Sequence, residues 1–521
     1  MPRVESVALR RGVTLTLTLR RRMVGEENTF TFLNLTRRFD PTHFDWPATE
    51  MSKLWRYNLH YFDYLHDGGR SWASSVFLLN DWLKNNPQGT PDAWEPFPAS
   101  LRLVNWIKFF LSPEASGKVE ERWLRSLYQQ ALWLEKNIEY HLLANHFFKN
   151  GKALIFAGIY FVGDDAERWL KKGLAIIAKE LDEQILADGG HFERSPMYHA
   201  MILEDCLDLF NIMDGQNIDK LQLLRQRLRE KAEGMLGFLA GMTHPDGDIA
   251  LFNDAALGIE AKLEWLAAYF ERLTGEKALS FTGNYGSFAE TGYYVMAPRL
   301  GDRLIVDCGP VGPDYQPGHA HCDSLSFELS LKGRRVIVDS GCCQYVDGDI
   351  RRYNRGNAGH NTVTVDGENQ SEVWGAHRCA RRARPLNGRL DKMKSGTLVF
   401  KGAHDGYQRL KGQPVHHRTI TWSGETYLID DRVEGAGRHN LESRLHIHPD
   451  LSVEVVDSNA SIRAGSDLFA TITPLGGGML EITDGWYCPE FGLQQPCVVL
   501  ISRFSKVPLP FSTGWVIKTS K

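Results

Sequence analysis

Helices first, then an antiparallel β-sandwich, in a multidomain chain: this is the architecture the sequence predicts, and two observations carry it. From about residue 70 to about residue 275, apolar residues recur at three-to-four spacing, the period of amphipathic helices. After about residue 285 the period drops to two, and glycine-containing turns separate short alternating runs. Runs of helices followed by runs of strands imply separate layers or domains, not an alternating α/β fold. A length of 521 residues also exceeds one ordinary domain.

The helical elements follow in order. "SWASSVFLLNDWLKNN" (71–86), "VEERWLRSLYQQALWLEKNIEY" (119–140), "DAERWLKKGLAIIAKELDEQIL" (165–186) and "LRQRLREKAEGMLGFLAGM" (224–242) read as long helices. Ser71 and Asp165 suit N-caps, and "NNPQGTP" stops the first helix. Shorter helices are predicted at 100–111, 198–213 and 261–273. Strands follow in "DRLIVDCG", "SLSFELSLKGRRVIVDSG", "HNTVTVDGEN", "HHRTITWSGETYLIDDRVEG", "LFATITPL" and "CVVLISRF". The predicted boundaries are an N-terminal extension over 1–45, a helical domain over 46–285 and a β-sandwich over 286–521.

With 43% hydrophobic and 24% charged residues the composition is globular, and a net charge of −4 neither requires nor excludes an anionic partner. No apolar run is long enough to span a membrane, and no nucleic-acid partner is expected. The eight cysteines form no C-x-x-C pair, which excludes a zinc ribbon or thioredoxin motif and fits a reducing compartment. "MPRVESVALRRGVTLTLTLRRRM" lacks a signal-peptide core, so the chain reads as cytoplasmic at face value, or as periplasmic or secreted if its start is misassigned. "HRCARRARP" (377–385) is an arginine-rich stretch, either a solvated loop or an anion-binding patch.

"GHAHCDSLSFELSLKGRRVIVDSG" (318–341) holds the strongest chemical signal. A two-residue turn at Lys332-Gly333 would pair Phe327 with Val338 and Ser326 with Asp339. Leu325, Phe327, Leu329 and Leu331 then share one face with Val336 and Val338. His319 and His321 fall on a loop ahead of this hairpin, and an H-x-H loop at a sheet rim points to a ligand or a catalyst. In "DIRRYNRGNAGHNTVTVDGENQ", His360 opens a strand, and Arg351, Arg352 and Arg355 before it suit either a carboxylate or sulfate or the solvation of a loop. In the helical half, "HLLANHFFKNGKAL" places Asn145 and His146 at the end of a helix. "DGGHFERSPMYHAMILEDCLDLF" places Glu193, Arg194, Tyr198 and His199 where a glycine-rich loop enters a helix, with Pro196 in its first turn.

Taken together, "GHAHCDSLSFEL", "VIVDSG", "GHNTVTVDG", the "NH" pair and "ERSPMYH" resemble the heparinase II/III superfamily of polysaccharide lyases. "LWRYNLHYFDYL" (54–65) and "WEPFPASLRLVNWIKFF" (94–110) are similar to the N-terminal region of its bacterial members. The resemblance implies an incomplete (α/α) toroid followed by an antiparallel β-sandwich, and β-elimination on an acidic, uronic-acid-containing polysaccharide. It implies Asn145 as partner of the uronate carboxylate with His146 assisting, Tyr198 as the proton-transfer residue, and His319 as second base or carboxylate partner. A divalent metal, zinc by its ligands, would be held by His321, Asp339 and His360. Trp55, Tyr61, Trp94 and Trp106 would offer flat faces to sugar rings. Asn58, His60, Glu95, Arg102, Asn105, Glu193, Arg194 and Arg355 would supply polar contacts.

Such an enzyme removes the C5 proton of a uronate and expels the oxygen at C4, so fixed donors must stabilise the developing charge. A tyrosine base, of ordinary pKa about 10, would need neighbours that favour its phenolate. Two other classes remain open. Paired carboxylates drawn from Asp188, Glu193 and Asp254 would make a glycoside hydrolase, and the same fold without turnover would make a carbohydrate-binding or assembly protein of an exopolysaccharide pathway. Heparan sulfate, hyaluronan, alginate and a strain-specific surface polymer all suit the lyase reading.

Overall fold

The computed structural model describes residues 7–16, 27–40, 44–68, 70–216 and 218–520, so most of the Thr-rich stretch near the start lies outside the described residues. Two compact units interleave along the chain. The first comprises Met1–Ile185, Ile202–Glu233 and Leu266–Lys277; the second comprises Leu186–Met201, Gly234–Trp265 and Ala278–Lys521. Two segments that the sequence placed in the helical domain, 186–201 and 234–265, thus belong with the β-rich unit.

In the first unit a hairpin, Thr29–Phe32 with Leu35–Arg38, precedes the helices Lys53–Tyr61, Trp72–Asn85, Pro96–Phe110, Glu121–Lys136, Ala144–Tyr160 and Asp164–Gln184. Ser71 caps as predicted, its hydroxyl accepting from Ser74 N at 3.1 Å. Asp165 does not cap: Gly163 holds that position, and Asp165 instead accepts from the Tyr128 hydroxyl at 2.6 Å. Every residue of Ala144–Tyr160 except His146 is buried, so the helix has no polar stripe and left no helical period to read. Asn145 and His146 therefore begin a helix, where the sequence placed them at the end of one. Trp55, Trp82, Trp106, Trp123 and Trp169 are all buried in this unit, each adding the large apolar area that aromatic side chains bring to a core.

The second unit is a two-sheet sandwich. One sheet runs, in spatial order, through Pro385–Lys392, Leu398–His404, Val415–Ser423, Thr426–Glu434, Phe511–Thr519, Asp467–Leu475, Asn459–Ala464 and Ser452–Val456. The other runs through Met479–Tyr487, Gln495–Pro508, Arg438–Ile447, Arg334–Ile337, Phe327–Leu331, Arg303–Asp307, Tyr293–Met296 and Tyr285–Phe288. Ile420, Ile429 and Trp515 from the first sheet meet Phe327, Leu329 and Leu500 from the second in one buried core. Complete burial of each such side chain contributes about 1.5–3 kcal/mol.

The Lys332-Gly333 turn is present, with both residues at positive φ as a type I′ hairpin requires. The predicted register holds for Leu331↔Arg334 and Ser330↔Arg335, then slips at a bulge, so that Leu329 pairs Ile337. The expected pairing of Phe327 with Val338 is therefore corrected by one residue. A bulge at a sheet rim re-aims the side chains that follow it, and the slip lies on the way to the H-x-H loop.

Candidate active site

The centre of the site is a carboxylate that the H-x-H motif did not reveal. Asp254, fully buried, accepts from His319 Nδ1 at 2.9 Å and from His321 Nε2 at 2.8 Å. The buried guanidinium of Arg351 grips both oxygens of the same group, one of them at 2.9 Å. Burial opposes the charge of Asp254, but Arg351 and the two imidazole donors outweigh it and hold the carboxyl well below its usual range. Arg351 in turn is held charged: burial works against it, and Asp254 more than compensates.

Backbone contacts fix this carboxylate. Asn253 has φ 57°, a left-handed value that non-glycine residues seldom adopt. Its amide N–H donates to Asp323 at 3.0 Å, and its side chain accepts from His321 N at 3.1 Å and donates to Arg194 O at 3.2 Å. Asp254 N donates to His319 O at 3.0 Å, and the Ser195 hydroxyl donates to Asp254 O at 2.7 Å. Ser195 also receives Tyr198 N at 3.4 Å, at the start of helix Pro196–Ile212. The loop before that helix needs a glycine, since a Cβ on Gly190 would sit 1.8 Å from Thr291 Oγ1.

Because an ionised carboxylate only accepts, the hydrogen between His319 Nδ1 and Asp254 belongs to the imidazole, which donates it. His319 Nε2 lies 3.5 Å from Glu193 Oε2, and the imidazole packs on the Tyr198 ring with centroids 4.2 Å apart. The Tyr198 hydroxyl is 3.0 Å from the hydroxyl of Tyr345, whose ring lies under Arg351. Burial, with Asp254 and Glu193 adding to it, raises the Tyr198 phenol well above its usual pKa, the hydrogen bond to Tyr345 opposing. The neighbours expected to favour a phenolate are therefore carboxylates that disfavour it.

Of the expected metal ligands, His360 and Asp339 form a buried pair, His360 Nδ1 to Asp339 Oδ2 at 2.8 Å, whereas His321 is bonded to Asp254. Two ring nitrogens in this region, His321 Nδ1 and His360 Nε2, are buried with no hydrogen-bond partner, and their rings lie 5.4 Å apart. Burial pushes His321 down to about 3, against the pull of Asp254, so its imidazole is neutral. Buried imidazole nitrogens without partners, each ring steered by a carboxylate on its other side, fit a divalent metal; Asp339 then orients His360. A second group, Asp254, His319 and His377, offers ligand atoms all within 4.8 Å of one another and could also hold a metal ion. Arg351 competes for that carboxylate.

The first unit contains its own carboxylate–histidine pair. His146 Nδ1 meets the buried Glu139 at 3.0 Å, the ring stacks near Phe97 at 4.3 Å, and the side chain is 31% exposed. Asn145 is buried beside it in sequence. Arg102, fully buried, donates to Gln130 at 2.8 Å and to His60 O at 3.2 Å, and lies over Trp82. His60 accepts from Trp82 Nε1 at 3.3 Å, and burial with Arg102 lowers it to about 3. Tyr61, Trp55 and Trp106 are also buried, so these residues, expected at sugar, are in the core. Asn58 and Asn105 are half-buried and bond backbone carbonyls at 2.8 and 2.9 Å, and Glu95 accepts from Tyr57.

In the second unit, Arg194 donates to Thr291 O and Phe192 O, and Arg355, buried, donates to carbonyls of residues 320, 374, 375 and 378. Neither presents a free anion fork. Asp188, a candidate hydrolase carboxylate, is spent on Thr291 and Gly190 N. Asp254 as organising centre, Tyr345, His377 and Glu139 were not read from sequence as parts of a site; "CQYVDG" and the run "IEYHLLANH" held the only local signals, a tyrosine and a glutamate near motif residues.

Helices followed by antiparallel sheets are the fold that this chain shares with heparinase III. The crystal structure of heparinase III superposes with a TM-score of 0.72 at 18% identity, covering 92% of this chain and 79% of that one. The chain belongs to the heparinase II/III family: the heparinase II/III N-terminus matches residues 20–274, and the heparinase II/III-like C-terminal domain matches 282–516. A heparin-sulfate lyase of Pedobacter heparinus is 26% identical over 404 residues, 71% of this chain and 57% of its own length. The chain thus spans less than two thirds of that relative. FtsZ-localized protein C of Caulobacter vibrioides is 24% identical over 452 residues, 79% of this chain and 72% of its own length.

Proposed function

We propose that this protein cleaves an acidic, uronic-acid-containing polysaccharide by β-elimination. The observation that carries the reading is the Asp254–His319 pair with the Tyr198 phenol stacked against it. Asp254 fixes the tautomer that leaves His319 Nε2 as proton acceptor, and the raised phenol of Tyr198 keeps its proton at neutral pH. His319 takes the C5 proton, the C5–H electrons form the C4–C5 double bond, and the C4–O4 bond breaks as O4 receives the Tyr198 proton. Proton transfer from His319 back to Tyr198, directly or through solvent, closes the cycle. Within the first unit, Asn145 and His146 are the proposed partners of a uronate carboxylate, with Glu139 steering His146. Zinc, held by His321 and His360 with Asp339 orienting the latter, would supply structural support to the loops and no reacting group.

Asp254 does not suit the general acid of a hydrolase. A general acid needs a raised carboxyl pKa, and Asp254 is held far below the usual range. One observation favours a second reading, a carbohydrate-binding or assembly protein without turnover: the similarity to FtsZ-localized protein C. Incubation with heparan sulfate, hyaluronan and alginate separates the three. The lyase reading expects products that absorb in the ultraviolet as 4,5-unsaturated uronates and carry no added water. Products that have gained water, or no product from any acidic polymer, would overturn it.

A further inference from the structure

Next to the reacting groups stands a small hairpin, Glu372–Trp374 with Arg378–Ala380. Its register sets Trp374 directly opposite Arg378, so both side chains emerge from the same face. The indole is 52% exposed and Arg378 is exposed as well. On the opposite face, Cys379 packs against Val311, Ala320 and Ala383. The hairpin therefore has one anchored face and one face that offers solvent an aromatic plate beside a cation. In the same arginine-rich run, Arg381 is paired with Glu372 and Arg382 with Asp314, whereas the Arg378 guanidinium makes no hydrogen bond or ion pair among the described residues.

Unusual effort goes into holding this hairpin still. Arg351 donates to Ala376 O at 3.0 and 2.7 Å while gripping Asp254. Arg355 donates to Gly375 O at 3.2 Å and to Arg378 O at 3.0 Å, and also to Ala320 O, between the two histidines of the H-x-H loop. Two buried cations thus tie the hairpin to the residues that place His319. The tip residue His377 completes the link: its ring lies 6.1 Å from that of His319 and 5.4 Å from that of Tyr345, and its Nδ1 is 3.3 Å from Gly318 O. Desolvating a guanidinium is costly unless it is fully bonded, and the hairpin carbonyls supply those bonds to Arg351 and Arg355.

We infer that Trp374 and Arg378 form a subsite for an anionic sugar unit flanking the unit that reacts. The indole face suits the C–H face of a pyranose, and the planar fork of arginine suits a carboxylate or sulfate through paired hydrogen bonds. The inference rests on the lyase reading for its substrate class, yet binding tests it separately. Calorimetric titration with oligosaccharides of heparan sulfate, hyaluronan and alginate, with dextran as neutral control, supplies the affinity of the full chain for each length. For the tightest acidic ligand, Trp374→Ala and Arg378→Ala should each weaken binding about threefold to tenfold, with Arg378→Lys between parent and alanine variant. The losses should shrink for a disaccharide too short to leave the reacting position. Both residues are exposed, so melting temperatures should match the parent. Parent-like affinity in both alanine variants, equal losses at every length, or no acidic ligand bound by the parent would each overturn the subsite. Hairpin-dependent binding without any unsaturated product would remove the lyase reading and leave the subsite standing; turnover with hairpin-independent binding would do the reverse.

Discussion

Each unit carries one part-exposed imidazole steered by a buried carboxylate: His146 with Glu139 in the first, His319 with Asp254 in the second. The pairs differ in what else the carboxylate holds. Glu139 accepts one further bond, from the Asn150 amide at 3.0 Å, whereas Asp254 also carries His321 and the Arg351 fork. A carboxylate bonded to neutral donors positions a ring; one neutralised by a buried guanidinium is also pinned as an anion and fixes the ring's tautomer. The comparison teaches that the same local motif can be a positioning device in one setting and an organising charge in another.

The sharpest way to break this contrast is to neutralise both carboxylates. Asp254→Asn leaves Arg351 buried without its counter-charge, which costs about 3–5 kcal/mol of stability. Turnover should fall at least about a thousandfold, because the wrong imidazole tautomer becomes available. Glu139→Gln keeps a side-chain acceptor for His146 and should cost about tenfold in turnover, consistent with loss of one charge-assisted hydrogen bond. Melting curves and product formation, measured together, check both.

The pH–rate profile sharpens the assignment of acid and base. A Tyr198 phenol raised above its usual value stays protonated through neutral and mildly alkaline pH. If it is the acid, the rate should hold to at least about pH 10 and fall only beyond that. A rate that instead climbs steadily across the alkaline range would make Tyr198 the base and reverse the assignment.

Smaller effects are expected where first-unit polar groups are core residues. Arg102→Met removes bonds to Gln130 and His60 O and should lower stability by about 1–3 kcal/mol, seen as a lower denaturation midpoint. His60 supplies an acid-sensitivity test of one proton. Its folded value of about 3 lies below the ordinary 6.5, so its stabilising contribution is full above 6.5 and is lost as pH falls from there toward 3. Stability measured against pH should flatten in that window for His60→Gln.

Much of this was legible in the sequence, for reasons that differ by residue. The change of hydrophobic period is long and clear, so the order of helices and strands could be read directly. The H-x-H loop and "SPMYH" are local motifs, and His319 and Tyr198 do stack. Asp254 lies 65 residues from His319 in sequence, inside an ordinary-looking "FNDAAL", and only tertiary contact makes it the hub. Arg102 was expected at sugar through the resemblance of "WEPFPASLRLVNWIKFF" to the family's N-terminal region, whereas the structure buries it over Trp82. The register slipped at Ser330 because a bulge leaves no mark in an alternating pattern. Ala144–Tyr160 was missed since a helix buried all round has no period to detect.

Replacing the Tyr198 hydroxyl tests the account most directly. Tyr198→Phe, assayed on whichever acidic polymer the parent cleaves, should lose about a hundredfold to ten-thousandfold in turnover while binding oligosaccharide with parental affinity. Unsaturated product formed at the parental rate would show that the phenol moves no proton, and the Asp254–His319–Tyr198 assignment would fall.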